Sequence, residues 1–335
     1  MKKIMLAFSI LSSMILINGC ASSSSEQAST ERPDWIDHAE VKYPNNEYLT
    51  AVGESSNRTR SGKSAVANLA EIFSVNISAE TKILTKAIKE QSKLGVTSES
   101  STSLERNIES ETKQSIEGVE IKESWLSPNG EYFTLAVLHK RSAAQNLTET
   151  IMESDKKIAD LIEYSLNTAP NSILAINALR SARDKQLSRD MAELQLKYIT
   201  GGGIPNEFTS QKIERLISRH LASLKVSVNI DDKQQKEILQ SALSTFGVQV
   251  VDGKAEMQLS SALDMNIPTV INDWYWLRGS YELNMLENGK VISRKRWSIK
   301  VSARQADLLM PRLQDKLTAN INKYLQELIS DSPSL

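Results

Sequence analysis

The chain of 335 residues holds a single cysteine, Cys20. A lone thiol excludes an internal disulfide framework and a cysteine-rich zinc site, so the folds are stabilised by packing alone. Histidine is almost as scarce. His38, His139 and His220 lie far apart, and none has a partner at i+4, so no local motif assembles a metal site. Nucleophile elbows of the Gly-x-Ser-x-Gly type are missing, as is a Ser-x-x-Lys near a plausible base, and the reading is non-catalytic, with no cofactor and no metal. The formal net charge of -1 recommends no nucleic acid as a bulk partner. The apolar stretch over residues 4–17 is broken by Ser9, Ser12 and Ser13, and it falls short of the about 20 residues that span a bilayer. Apolar residues still make up 40% of the chain, enough for folded cores.

That short stretch follows Lys2 and Lys3 and ends at Ile17-Asn18-Gly19-Cys20, the pattern of a secretory signal with a small residue at the cut. The arrangement resembles the lipobox of bacterial lipoproteins, although Asn18 stands where a small residue is usual. The resemblance implies that Cys20 receives a diacylglycerol thioether, becomes the new N-terminus and is acylated again. Two or three acyl chains anchor stably where one does not. Ala21 and Ser22 follow, with no aspartate, which by resemblance to the enteric sorting rule favours the outer membrane and a periplasm-facing protein. The alternative is an ordinary cleaved signal beside a chance cysteine.

Signal 1–19 and flexible tether 20–32 precede the folded chain, which opens at Pro33-Asp34-Trp35. Tyr48-Leu49-Thr50-Ala51-Val52-Gly53 reads as a strand stopped by glycine. A helical pattern from Ser61 carries Ala65, Leu69, Ile72, Phe73, Ile77, Ile83, Leu84, Ala87 and Ile88, with Ser61 or Ser64 as its cap. A Ser- and Glu-rich connector follows over 91–115. Ser127-Pro128-Asn129-Gly130 then turns a hairpin between strands at 119–125 and 132–140. The opening tripeptide, the strand, the alanine-rich helix and the closing hairpin together resemble the LPP-twenty lipoprotein family, which includes the flagellar outer-membrane lipoprotein FlgP. The likeness covers about 33–141. It implies a small non-enzymatic envelope lipoprotein, in some members tied to flagellar structures, with no catalytic residue to carry over.

Two apolar stripes at helical spacing, joined by Asn167-Thr168-Ala169-Pro170-Asn171, predict an antiparallel helical hairpin over 142–203, with Pro170 at the start of its second helix. The hairpin is read as a spacer or docking surface that ends at Gly201-Gly202-Gly203. Residues 204–335 read as a second unit of helix, strand, helix, strands and helix, including a hairpin turned at Asn288-Gly289. This unit loosely resembles the periplasmic domain shared by the TolB N-terminus, CsgG and LpoB, on the pattern Leu283-Asn284-Met285-Leu286-Glu287-Asn288-Gly289-Lys290-Val291-Ile292. The fold class is therefore α+β: two small antiparallel-rich α+β domains, 33–141 and 204–335, joined by the long hairpin, with helices on one sheet face.

Candidate binding residues are few. Asn57-Arg58-Thr59-Arg60-Ser61-Gly62-Lys63-Ser64 imitates a phosphate loop, but Asn57 occupies the place of a required glycine and the periplasm lacks ATP. A modest anion site at a helix start, or a solvated helix start, are the remaining readings. Trp274, Tyr275 and Trp276 form the densest aromatic cluster, and three consecutive aromatics on a strand cannot share one face. They serve either a packed sheet or a contact for a partner protein or glycan strand. Arg294, Lys295 and Arg296 lie across the same hairpin, as a charged solvent face or as part of that surface. The expected role is a scaffold or regulatory module of the envelope, with flagellar, secretion or peptidoglycan-synthesis components as partners and a homo-oligomer compatible with the resemblance. The alternative is a peptidoglycan- or glycan-binding or glycan-modifying protein.

Overall fold

The structure, a computed structural model, describes residues 31–91 and 118–330. Cys20, the signal segment and the connector at 92–115 lie outside the described residues, as do the side chains of Phe73, Ile77, Ile83, Leu84, Ala87 and Ile88.

The N-terminal unit comprises β1 (Tyr48–Ser55), α1 (Arg58–Gln91), β2 (Glu120–Leu126) and β3 (Tyr132–His139). Its sheet runs β1-β3-β2, antiparallel throughout. The β2–β3 hairpin turns where Ser-Pro-Asn-Gly predicts, with Gly130 at φ +83° and the Ser127 hydroxyl accepting from the Glu131 amide at 3.1 Å. β3 is central, so its apolar run is buried on both faces. Ala136 and Leu138 join Ala65 and Leu69 of α1 in one core, while the turn Asp34–Ile36 lies against β3 and the Arg32 guanidinium sits 5.3 Å from the Phe133 ring centre.

Two local expectations change here. Gly53 does not stop β1, which continues to Ser55. A Cβ at Gly53 would lie 2.1 Å from the Ala65 amide nitrogen and 2.3 Å from the Ser61 carbonyl oxygen. The glycine is there because helix and strand backbones touch. The cap of α1 is neither Ser61 nor Ser64 but Asn57, whose Oδ1 accepts from the Thr59 amide at 2.9 Å and the Arg60 amide at 3.2 Å. Ser61 lies inside the helix, fully buried. Its hydroxyl donates to the Arg58 carbonyl, so the 2.6 Å bond to Thr134 of β3 has the threonine as donor.

The hairpin is α2 (Lys140–Glu163) and α3 (Ser172–Thr200), about 36 and 43 Å long at 1.5 Å per residue. A π-helical turn, Tyr164–Thr168, ends the first arm. Asn171, not Pro170, starts the second: its side chain accepts from the Leu174 amide at 2.9 Å, and Pro170 precedes that cap. Gly201 closes α3 at φ +76°. The arms do more than set reach. Ala143, Leu147, Ile151, Ala192, Leu196 and Ile199 complete the N-terminal core. Ile158, Ile162, Ile173, Ile176, Leu179 and Ala182 belong to the C-terminal core. The hairpin is thus the shared wall of both.

The C-terminal unit comprises α4 (Ser210–Ser223), β4 (Lys225–Asn229), α5 (Lys233–Thr245), β5 (Gln249–Val250), β6 (Met257–Met265), β7 (Thr269–Ile271), β8 (Trp274–Glu287), β9 (Lys290–Ala303) and α6 (Leu309–Ser330). β4 pairs in parallel with β5 and β6, while β6, β7 and β9 all pair antiparallel with the long β8. The fold is α+β, antiparallel-rich with a parallel corner. The inner sheet face, with Leu277, Tyr281, Leu283, Met285, Ile299 and Val301, packs in the same core as Leu313, Leu317, Tyr324 and Leu328 of α6. Trp297 stacks on Tyr324 with centroids 4.3 Å apart and donates its indole N–H to Glu327 at 2.6 Å. Opposite, the even-numbered positions of β8 form an open, largely polar face.

Candidate functional site

The open sheet face carries the sequence-predicted aromatics. β7 and β8 are joined by Asn272 and Asp273 at φ +50° and +60°, a two-residue turn of the mirror-image kind that suits the strand twist. The period of two then separates the cluster. Trp274 and Trp276 project to the open face, and Tyr275 packs against the core. Register decides the neighbours: β9 sets Ser302 opposite Trp276 and Lys300 opposite Arg278. Lys300 Nζ stands 4.2 Å from the Trp276 ring centre, Arg278 Cζ 6.0 Å from the same ring, and Arg304 Cζ 5.5 Å from the Trp274 ring. The Trp276 indole N–H is covered and has no hydrogen-bond partner.

Arg294, Lys295 and Arg296 do not join this cluster. Arg296 sits opposite Glu282, six residues along β8 from Trp276, or about 20 Å at strand rise. Arg296 and Arg294 reach Glu282 at 2.9 and 3.7 Å, and hydrogen bonds with Arg296 and Asn284, with the charges of both arginines, hold its carboxyl below the usual range. Lys295 points to the other face, 3.7 Å from Glu327 of α6. The triple is therefore split by the pleat and partnered locally. The cations beside the indoles are instead Arg278, two residues along β8 from Trp276, and Lys300 and Arg304, which sequence spacing missed because only the β8–β9 register brings them in. The Asn288-Gly289 turn alone does not give that register, because a bulge between Met285 and Leu286 shifts it by one residue.

A second cluster escaped the sequence reading altogether. The middle of α3 buries Arg180, Arg183, Gln186 and Arg189 at steps of three residues. Arg189 is wholly buried. It reaches Asp155 of α2 at 3.0 Å, pairs with Glu193, and donates to the Ile204 and Pro205 carbonyls at 3.0 and 3.3 Å. Arg183 meets Asp184 at 2.9 Å and Glu214 of α4 at 3.3 Å. Gln186, Asn206 and Ser210 all donate to Asp190. Burial pushes the Asp190 and Glu214 carboxyls up, against the pull of their donors and of Arg189 and Arg183. Burial also lowers Arg180, helped by the like charge of Arg183. For Arg183 the desolvation cost is outweighed by Asp184 and Glu214, and its pKa rises. The signal was the irregular second stripe, where arginines interrupt the apolar spacing. This layer lies between the two cores and ties both arms to the 204–210 segment.

The phosphate-loop imitation forms one wall of an open groove of about 470 Å³ with Arg58, Lys63, Val66, Ile121 and Ser124. Its helix start is satisfied by Asn57, as a solvated helix start requires. Among the described residues no group of three or more His, Cys, Asp or Glu side chains is placed to hold a metal ion, and no helix is long and apolar enough to cross a membrane.

Among curated proteins, none matches the chain. Of solved structures, the secreted protein HP1454 from Helicobacter pylori is similar at 15% identity and a TM-score of 0.46, over 86% of this chain and 99% of that one. A minor lipoprotein from Acinetobacter baumannii is similar at 16% identity and a TM-score of 0.26, over 32% of this chain and 91% of its own. The rare lipoprotein B from Shewanella oneidensis is similar at 13% and 0.21, over 31% and 89%. The LPP20 lipoprotein family matches residues 33–139, ending at the last residue of β3, and it is to these lipoproteins that the N-terminal unit of the chain is similar.

Proposed function

We propose that the chain is a non-catalytic outer-membrane lipoprotein, anchored through acylated Cys20 and facing the periplasm, that works as a scaffold or regulatory module of the cell envelope. The observation that carries the reading is the order of parts: a secretory segment ending in the lone Cys20, a small polar tether, and then at Pro33 the start of the LPP20 match. The buried arginine layer supports the scaffold element, because a hairpin that walls two cores transmits position between them. The partners are other envelope proteins: flagellar, secretion or peptidoglycan-synthesis components, or further copies of the chain. A glycan-binding role has less support. Sugar stacking needs an open ring face, and Lys300 and Arg304 lie over Trp276 and Trp274. The test is a crosslinking pull-down of the tagged full-length protein from its own cells, with mass spectrometry of what is captured. Enrichment of flagellar, secretion or synthase components is the expected result. Capture of peptidoglycan fragments without envelope proteins would replace the scaffold reading with the glycan one.

A further inference from the structure

The groove between the start of α1 and strand β2 has the size of a ligand site, about 470 Å³ against a usual range of about 300–1,000 Å³. One wall is the first turns of α1, with Arg58, Gly62, Lys63 and Val66. The other is β2, with Ile121 and Ser124. The register shift between Ile121 and Glu123 sets Ile121 and Ser124, three positions apart, on the helix side, while Glu123 turns to Tyr43 at 3.2 Å and to Lys42. The floor is therefore aliphatic and the rim basic. Ile121 is 48% exposed, no carboxylate lines the groove, and among the described residues neither Arg58 nor Lys63 forms an ion pair. The amides at the start of α1 are taken by Asn57, so the positive charge here comes from the side chains.

Gly62 is the second observation. It lies inside α1 and outside the left-handed region, and a Cβ there would meet nothing closer than Ile121 Cδ1 and Thr134 Cγ2, both at 3.9 Å. Packing therefore admits alanine, which is the better helix former. Gly53 differs, because a Cβ there collides with the backbone of α1. The fold requires Gly53 and does not require Gly62. What the absent side chain at 62 provides is depth in the groove.

The third observation is the edge. The sheet runs β1-β3-β2, and no described strand pairs with the far side of β2. A strand edge presents main-chain donors and acceptors that an added strand can use. On two other edge strands, helix side chains serve main-chain carbonyls. Asn68 of α1 donates to the Val52 carbonyl of β1 at 2.7 Å, and Lys316 of α6 donates to the Lys300 carbonyl of β9 at 2.9 Å. Beside β2 the groove lies instead. A segment that pairs there sends alternate side chains into it.

We propose that this groove receives an extended segment of a partner protein, which adds to the edge of β2, sets a carboxylate against Arg58 and Lys63 and lays an aliphatic side chain over Gly62 and Ile121. The proposal rests on the scaffold reading for the kind of partner and deepens it by naming the surface.

The experiment uses the full chain carrying Cys20→Ser to select from random peptides displayed on phage. The best binder is synthesised with a fluorescent label, and its affinity is read by anisotropy. The expected binder alternates aliphatic and acidic residues, and it slows amide exchange in β2 but not in β1. Gly62→Leu fills the groove and weakens binding by about tenfold or more, while its unfolding temperature stays at or above that of the parent. Arg58→Glu with Lys63→Glu weakens binding by about tenfold with an unchanged circular dichroism spectrum. A selection that returns no peptide overturns the proposal, as does a peptide that binds Gly62→Leu as tightly as the parent. Displacement of the peptide by excess unlabelled chain would give the groove to a second copy, and displacement by inorganic phosphate would reduce it to an anion site; either overturns the proposal. Envelope proteins captured from cells equally by parent and Gly62→Leu would end this proposal and leave the scaffold reading standing. Peptide binding lost in Gly62→Leu, with no envelope protein captured by the parent, would do the reverse.

Discussion

In the N-terminal unit α1 meets β1 at backbone contact across Gly53, whereas in the C-terminal unit α6 stands off its sheet on Tyr281, Trp297 and Tyr324. The first contact admits one residue type at its centre. The second is a stack of large rings around a generic apolar core, and such cores accept many volume-conserving combinations. The LPP20 match covers 33–139, the unit built on the closer contact, and stops where β3 gives way to the hairpin. Between the units, α3 changes from apolar to ionic and back to apolar, and the arginine layer holds two differently built cores as one body.

The largest effect is expected at that layer. Arg189→Met leaves Asp155 and Glu193 without their buried partner and two carbonyls without a donor. Glu193 keeps Lys197 at 2.9 Å and Asp155 is part-exposed, so the loss falls at the lower end of the roughly 3–5 kcal/mol that breaking a buried ion pair costs. Calorimetry should show one unfolding transition in the parent and two in the variant, one for each core. A single transition at nearly the parent temperature would mean that the cores are joined by the apolar wall alone.

Next comes the backbone contact. Gly53→Ala places a methyl on the Ser61–Ala65 backbone, and overpacking of this kind costs about 3 kcal/mol. The loss should fall on the N-terminal unit, read as faster amide exchange in β1 and α1 while β8 stays protected. Equal loosening of both units would contradict the division of the molecule into two cores.

The third prediction sharpens the contrast from the C-terminal side. Burial pushes the Tyr281 phenol from 10.0 up to about 12, against a hydrogen bond with Ser261 that pulls it down. A raised folded-state pKa gives stability that is complete below the unfolded value of 10.0 and is lost as pH rises through about 12. The shift corresponds to roughly 2–3 kcal/mol. Alkaline titration should loosen the C-terminal unit first, seen as a red shift of Trp297 emission, and Tyr281→Phe should remove most of the pH dependence.

The sequence spoke clearly where one residue type has one use. Asn288-Gly289 and Pro128-Asn129-Gly130 announced their turns, Gly201 ended α3, and helical periodicity located both arms of the hairpin. It misled where a residue has two uses. Gly53 ends strands and also admits close backbones; Ser61 caps helices and also bonds a neighbouring threonine from inside one. It was silent where function depends on register or depth. Nothing in Arg294-Lys295-Arg296 marks that the pleat divides them, and nothing at Lys300 marks that it faces Arg278 across the hairpin, beside the Trp276 ring. β7 was missed because three residues carry too little pattern. The arginines of α3 were visible as an irregularity, but burial of charge follows from tertiary partners such as Asp155 and Glu214, far away in the chain.

The central claim is the lipid at Cys20, and it is tested most directly by fractionating cells that make the full-length parent or Cys20→Ser, with intact-mass analysis of the protein recovered. The account predicts a parent in the outer-membrane fraction whose mass exceeds the processed chain by a diacylglycerol and a further acyl group. It predicts that Cys20→Ser loses that added mass and leaves the outer membrane. A Cys20→Ser protein that still sediments with the outer membrane, or a parent without added acyl mass, would contradict it.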